Sequence, residues 1–175
     1  MFVQAFAELD EGDETGSALH FQAVHEITAD LNNSELDGLL CEIAIESDVD
    51  QSQPECQQAV ALAPVLRPNE PVSGTFDLID SGLLSLAGMV HAWRFEAKAG
   101  DTVTIRMWDE DLGLNTALRV LGGTALREVA SNGDYDSSDS QIGPLTLTET
   151  GTYLILAYPY DYSRSGTYGL ELTKE

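Results

Sequence analysis

Trp93-Arg94-Phe95-Glu96-Ala97-Lys98-Ala99-Gly100-Asp101-Thr102-Val103-Thr104-Ile105-Arg106-Met107 alternates apolar and polar side chains on either side of a short turn. Trp93, Phe95 and Ala97 share one parity before Ala99-Gly100-Asp101, and Val103, Ile105 and Met107 share one after it. Successive side chains of a strand point to opposite faces, so this segment reads as a β-hairpin with one buried face. The period of two recurs at Leu118 and Val120, at Leu145 and Leu147 beside Thr146 and Thr148, at Tyr153, Ile155 and Ala157, and at Tyr168, Leu170 and Leu172. Short strands separated by frequent turn signals predict an all-β protein, an antiparallel, jelly-roll-like β-sandwich of about eight strands.

Upstream the pattern changes. Pro64, Pro68 and Pro71 exclude a helix across Ala63–Pro71 and make it an extended connector. Before it, Leu36, Leu39, Leu40 and Ile43 recur at helical spacing behind Asn33-Ser34, which predicts a helix over 34–47. Phe2–Leu9 is a candidate strand and His20–Leu31 is ambiguous between helix and strand. The chain therefore divides into an acidic, partly helical extension over 1–66 and a sandwich over 67–175. If Tyr153, Ile155 and Ala157 fill the core, Leu154, Leu156, Tyr158 and Tyr160 project outward, where a two-layer sandwich normally places polar groups. Such a stripe needs a cover, and the 34–47 helix is the expected one; the rival reading leaves the stripe open as a partner-binding face.

The chain holds 30 Asp and Glu against 8 Lys and Arg, a formal charge of -22. That charge repels phosphate backbones and anionic membranes, so nucleic acid is an unexpected partner. At 43% apolar and 22% charged residues the acidity decorates a folded surface. Calcium binding and a saline habitat both account for it. No stretch approaches the roughly 18 apolar residues of a membrane span, so membrane insertion is not expected, and Met1–Ala5 carries no secretion signal. Cys41 and Cys56 are the only cysteines, too few for structural zinc without histidine help. In an exported protein they pair as a disulfide; otherwise they are buried thiols.

The candidate chemistry sits in loops. Asn132-Gly-Asp-Tyr-Asp-Ser-Ser-Asp139 contributes Asp134, Asp136 and Asp139, hard oxygen ligands without a basic neighbour in sequence, suited either to solvent or to Ca²⁺. Asp109-Glu110-Asp111 is a second acidic loop, which sequence does not assign to one end of the sandwich or the other. Tyr158, Tyr160 and Tyr162 share a face if their strand continues, and with Tyr135 they offer flat rings with hydroxyl handles for a sugar or an extended peptide. His20 and His25, five apart, point about 140° from each other on a helix and chelate poorly. There is no G-x-S-x-G elbow, phosphate loop or carboxylate pair set across a cleft, so the expectation is no enzyme.

The order of blocks from Pro71 to Thr173 resembles the bacterial pre-peptidase C-terminal domain family. The blocks are Val72-Ser73-Gly74-Thr75, Trp93 through Ile105, Asn115-Thr116-Ala117-Leu118-Arg119-Val120, Ala130–Asp134 with Asp139–Ile142, and Gly151-Thr152-Tyr153 with Ser165–Tyr168. The resemblance implies a non-catalytic β-sandwich of a secreted protein that assists attachment, secretion or stability, located outside the cell or on its surface. Its partners would be the parent secreted protein or an extracellular polymer. Some relatives bind calcium or a fibrous polymer; by position Asp134, Asp136 and Asp139 fall in the family's acidic loop, and Asn115 stands where many members carry aspartate. A calcium-dependent polymer-binding module is the alternative, and an enzyme with an unrecognised site ranks third.

Overall fold

The computed structural model describes Cys41 and residues 54–76, 89–111, 113–123, 125–133, 138–161 and 164–175. A helix, α1 (Pro54–Leu62), leads into eight strands: β1 (Val72–Phe76), β2 (His91–Ala97), β3 (Thr102–Asp109), β4 (Thr116–Gly122), β5 (Arg127–Asn132), β6 (Ser140–Thr146), β7 (Gly151–Pro159) and β8 (Gly166–Lys174). They form two four-stranded antiparallel sheets, ordered β1-β8-β3-β6 and β2-β7-β4-β5. Apart from the β4–β5 hairpin, neighbours in each order are not consecutive in sequence, which is the double Greek key of a jelly roll. The expected β-sandwich is therefore the fold.

The inter-sheet core is the set of alternating residues. Phe95 and Ala97, then Val103, Ile105 and Met107, then Leu118 and Val120 turn inward to meet Tyr153, Ile155 and Ala157 from β7 and Tyr168, Leu170 and Leu172 from β8. Trp93 lies at the margin of that core, where its Nε1 donates to Tyr168 Oη at 3.2 Å. Phe76 stacks on Tyr168 with ring centroids 4.6 Å apart, and Phe95 on Tyr153 at 5.3 Å. Gly143, with φ of 115°, carries the bulge that shifts the β3–β6 register between Val103 and Ile105; a Cβ there would stand 2.5 Å from Val103 O.

A second apolar cluster lies on the outer face of the β2-β7-β4-β5 sheet. Leu154 and Leu156 project there, as expected, joined by Val90, Ala92, Leu121 and Leu126. Their cover is α1, whose Cys56 and Ala59, with Ala63 just past its end, form the buried stripe at helical spacing. Small side chains on that stripe bring the helix close to the sheet. Cys41, itself helical, is disulfide-bonded to Cys56, and both sulfurs are buried in the same cluster. The expected pairing of the two cysteines is thus present. Leu36, Leu39, Leu40 and Ile43, with the predicted strand over 2–9 and the 20–31 segment, lie outside the described residues.

The proline-rich connector is extended around Val65 and then turns at Arg67–Glu70, where Glu70 N donates to Arg67 O and Asn69 has a φ of 61°. Leu66 N donates to Arg94 O and Arg94 N to Pro64 O, so the chain runs along the edge of β2; Asn69 N then bonds Leu172 O in the other sheet. The connector closes one side of the sandwich, with Leu66 buried in the gap.

Candidate functional site

The strand directions gather four connections at one end of the sandwich: β1–β2, β3–β4, β5–β6 and β7–β8. Asp109–Asp111 and Asp139 therefore lie at the same end, the point that the sequence left open. The two are joined, because Asp139 Oδ1 accepts from Asp109 N at 3.3 Å.

These carboxylates organise the backbone. Asp109 Oδ1 accepts from Asp111 N and Oδ2 from Leu114 N, each at 3.0 Å, so one side chain caps the whole β3–β4 turn. Asp111 Oδ2 accepts from Thr167 N at 2.8 Å, while Glu110 N donates to Thr167 O. Arg164 reaches Gly113 O at 3.1 Å and pairs with Asp161 at 3.5 Å. Tyr160 N donates to Asn115 O at 2.7 Å, tying the β7–β8 loop to the same turn.

Beneath the loops lies a buried polar anchor that the sequence reading missed. Thr116 and Ser140 are both fully buried; Thr116 Oγ1 donates to Ser138 O at 3.0 Å and Ser140 Oγ donates to Thr116 O. Thr116 N also bonds Ser138 O at 2.8 Å. The anchor fixes the base of the β5–β6 loop against β4. Its only trace in sequence is a hydroxyl residue at the start of each strand, which many strands share.

The proposed ligands fare unevenly. Asp134, Tyr135, Asp136 and Tyr162 lie outside the described residues. Asn115 and Asp139 are brought to the same end, the first on the β3–β4 turn and the second just before β6. Asp139 has a basic partner after all: Arg106 Nη2, from β3, sits 3.0 Å from its Oδ2. This corrects the expectation of an acid lacking a basic neighbour, which arose because Arg106 is distant in sequence and adjacent only through the β3–β6 pairing. Among the described residues, no group of three or more Asp, Glu, His or Cys is placed to hold a metal ion. Tyr158 packs partly against the outer cluster beneath α1, whereas Tyr160 is 63% exposed, with its ring resting on Gly133. The two rings do not share an environment, because β7 ends at Pro159 and the alternation stops there.

Such a scaffold belongs to the class of disulfide-stapled jelly-roll modules with a loop end built from satisfied carboxylates. No protein-family model matches the chain and no curated protein matches it. Among solved structures it is similar to the pre-peptidase C-terminal domain of collagenase from Bacillus anthracis, with a TM-score of 0.49 and 17% identity, covering 63% of this chain and 94% of that one. It is also similar to the periplasmic g-type lysozyme inhibitor PliG of Aeromonas hydrophila (TM-score 0.47, 17% identity, 65% and 96% covered) and of Salmonella Typhimurium (0.43, 12%, 65% and 98%). Likenesses of this size concern the fold.

Proposed function

We propose that the chain is a non-catalytic accessory module of an exported protein, serving attachment or stability of a larger partner. The observation that carries this reading is the Cys41–Cys56 disulfide, buried at the centre of the cluster that closes one outer face. Disulfides persist in oxidising compartments, and here the bond fastens a cover without which a large apolar face would meet solvent. The loop-end carboxylates support the same reading: those of Asp109, Asp111 and Asp139 are occupied by backbone N–H groups and Arg106, a use that stiffens loops.

Calcium-dependent binding of an extracellular polymer is the second reading, favoured by the exposed ring of Tyr160 next to the acidic loop. A carboxylate oxygen retains acceptor capacity beyond one hydrogen bond, so Asp139 suits a Ca²⁺ shared with Asp134 and Asp136. Arg106 opposes it, since a guanidinium at 3.0 Å competes for the same oxygen. Its side chain is largely exposed and has room to swing away. Thermal unfolding with millimolar Ca²⁺ against chelator tests the ion: a rise in midpoint that grows in Arg106→Ala and disappears in Asp136→Asn supports the site, and no rise removes it. Retention on collagen or insoluble polysaccharide tests attachment. A protein that stays in the supernatant with and without Ca²⁺ confines the module to stability.

A further inference from the structure

The outer face of the β1-β8-β3-β6 sheet has no apolar cover among the described residues, and its outward positions are mainly polar. Trp108 departs from that pattern. Val103, Ile105 and Met107 point inward, so Trp108 on the same strand has outward parity, and its cross-strand partner on β8 is Gly169. A Cβ built on Gly169 would lie 2.1 Å from Trp108 Cε2, 2.2 Å from Cζ2 and 2.6 Å from Nε1. With Cε2 nearest and two of its three ring neighbours slightly farther, the indole meets the glycine with its face and not its edge. The ring is laid flat over the strand, half-buried, with its other side turned outward. Nε1 donates to none of the described residues.

The surroundings of the ring are hydroxyls, the Glu110 carboxylate and an arginine already ion-paired. Ser73 flanks Gly169 on the far side and donates to Glu110 Oε1 at 3.3 Å; Thr75 and Thr167 face each other with hydroxyls 3.5 Å apart. Arg106 and Glu171, cross-strand partners on the same face, set one positive charge against one negative.

We propose that this face is a binding platform for a neutral glycan, with Trp108 as the stacking surface for one pyranose ring. The electron-rich face of an indole complements the C–H groups on the flat side of a pyranose, and a rim of hydroxyl and carboxylate groups matches its outward hydroxyls. The overall charge of -22 turns away polyanions. Arg106 is already engaged by Asp139 and faces Glu171, so it offers no free charge to a ligand, and a neutral sugar that uses the ring face and the hydroxyls is the better occupant. Gly169 is part of the platform, because any side chain would lift the indole from the sheet. This inference rests on the attachment reading above but uses the opposite sheet from α1 and none of the loop tyrosines.

The full chain is tested for retention on insoluble cellulose, chitin and starch, and by titration with the corresponding soluble oligosaccharides, followed by tryptophan fluorescence. The expected result is retention on at least one of the three, reduced about thirtyfold in affinity by Trp108→Ala, the scale of an aromatic hot spot. Trp93→Phe, within the core margin, should keep the fluorescence response, whereas Trp108→Phe should keep part of the binding and lose that response. Gly169→Val, with an unchanged unfolding midpoint, should weaken binding as Trp108→Ala does. Retention that survives Trp108→Ala and is lost in Tyr160→Ala overturns the platform while leaving attachment intact. No retention on any of the three polymers overturns the platform, and preferential, salt-sensitive capture of polylysine overturns the choice of a neutral sugar.

Discussion

The two sheets of this sandwich meet solvent in opposite ways. The β2-β7-β4-β5 sheet carries Leu154, Leu156, Leu121 and Ala92 outward beneath a helix and a disulfide, so β4 is buried along its whole length. The β1-β8-β3-β6 sheet turns threonines, Arg106 and Glu171 outward, with one indole laid on Gly169. Among the described residues, one sheet is a middle layer and the other an outer wall. Stability should therefore be concentrated on the covered face and ligand recognition on the open one, since apolar burial contributes roughly 25 cal/mol per Å² and a solvated polar face little.

Paired truncations break this comparison most directly. Leu154→Ala removes a fully buried side chain from the covered face and should destabilise by about 2–5 kcal/mol, whereas Thr173→Ala on the open face should stay within about 0.5 kcal/mol. Denaturant midpoints at unchanged slope measure both. Equal losses would mean that the two outer faces are not energetically distinct.

Reduction of the disulfide, or Cys41→Ala with Cys56→Ala, should cost about 3 kcal/mol, the value for closing a loop of this length. Hydrogen exchange would locate the loss: amides of β2 and β7 under α1 should gain exchange while those of β1 and β8 keep their protection. Uniform loss of protection would show that the cover is one cooperative unit with both sheets. Thr116→Val should cost about 0.5–1.5 kcal/mol by removing the hydroxyl shared with Ser138 O and Ser140 at the base of the loops, while Ser138 O keeps its bond from Thr116 N. Its effect crosses between the sheets, because β4 and β6 belong to different ones.

The covered face was legible in sequence, while α1, the described part of its cover, was not. Leu154 and Leu156 lie between Tyr153, Ile155 and Ala157, and a strand apolar at both parities must be buried on both sides. Helix α1 gave no such signal, since its buried stripe is Cys56, Ala59 and Ala63, small residues among glutamines, while Leu62 is exposed. Strand β5 was equally hidden: Arg127, Glu128 and Val129 are exposed at a sheet edge, so no alternation marks them. Arg119 on β4 is buried at 8% exposure only because Glu128 comes to 3.1 Å from its neighbour strand. Of the candidate site, the acidic residues could be listed from sequence, but Arg106 beside Asp139 and Gly169 under Trp108 are products of strand register. Parity alone would have put Trp108 outside; it could not have supplied the glycine.

The smallest effect belongs to the open sheet, where charges at the surface hold what apolar burial does not. Asp101, just before β3, accepts from Lys174 Nζ on β8 at 2.5 Å and from Lys98 N at 2.6 Å. The bond to Lys174, then that to the Lys98 N–H, holds its carboxyl below the usual carboxylate range. The folded chain thus binds this proton more weakly than the unfolded chain does. The stabilisation it supplies is fully present above the unfolded carboxyl value of about 3.9 and is lost as pH falls through the lower folded value. Asp101→Asn should remove that acid-side slope by lowering the midpoint slightly near pH 7, where the pair is intact, and not at low pH, the change being small because exposed ion pairs contribute little. Because Lys174 and Asp101 link β8 to the start of β3, hydrogen exchange at low pH should loosen the open sheet before the covered one. An acid-side slope that persists in Asp101→Asn would place it on other carboxylates.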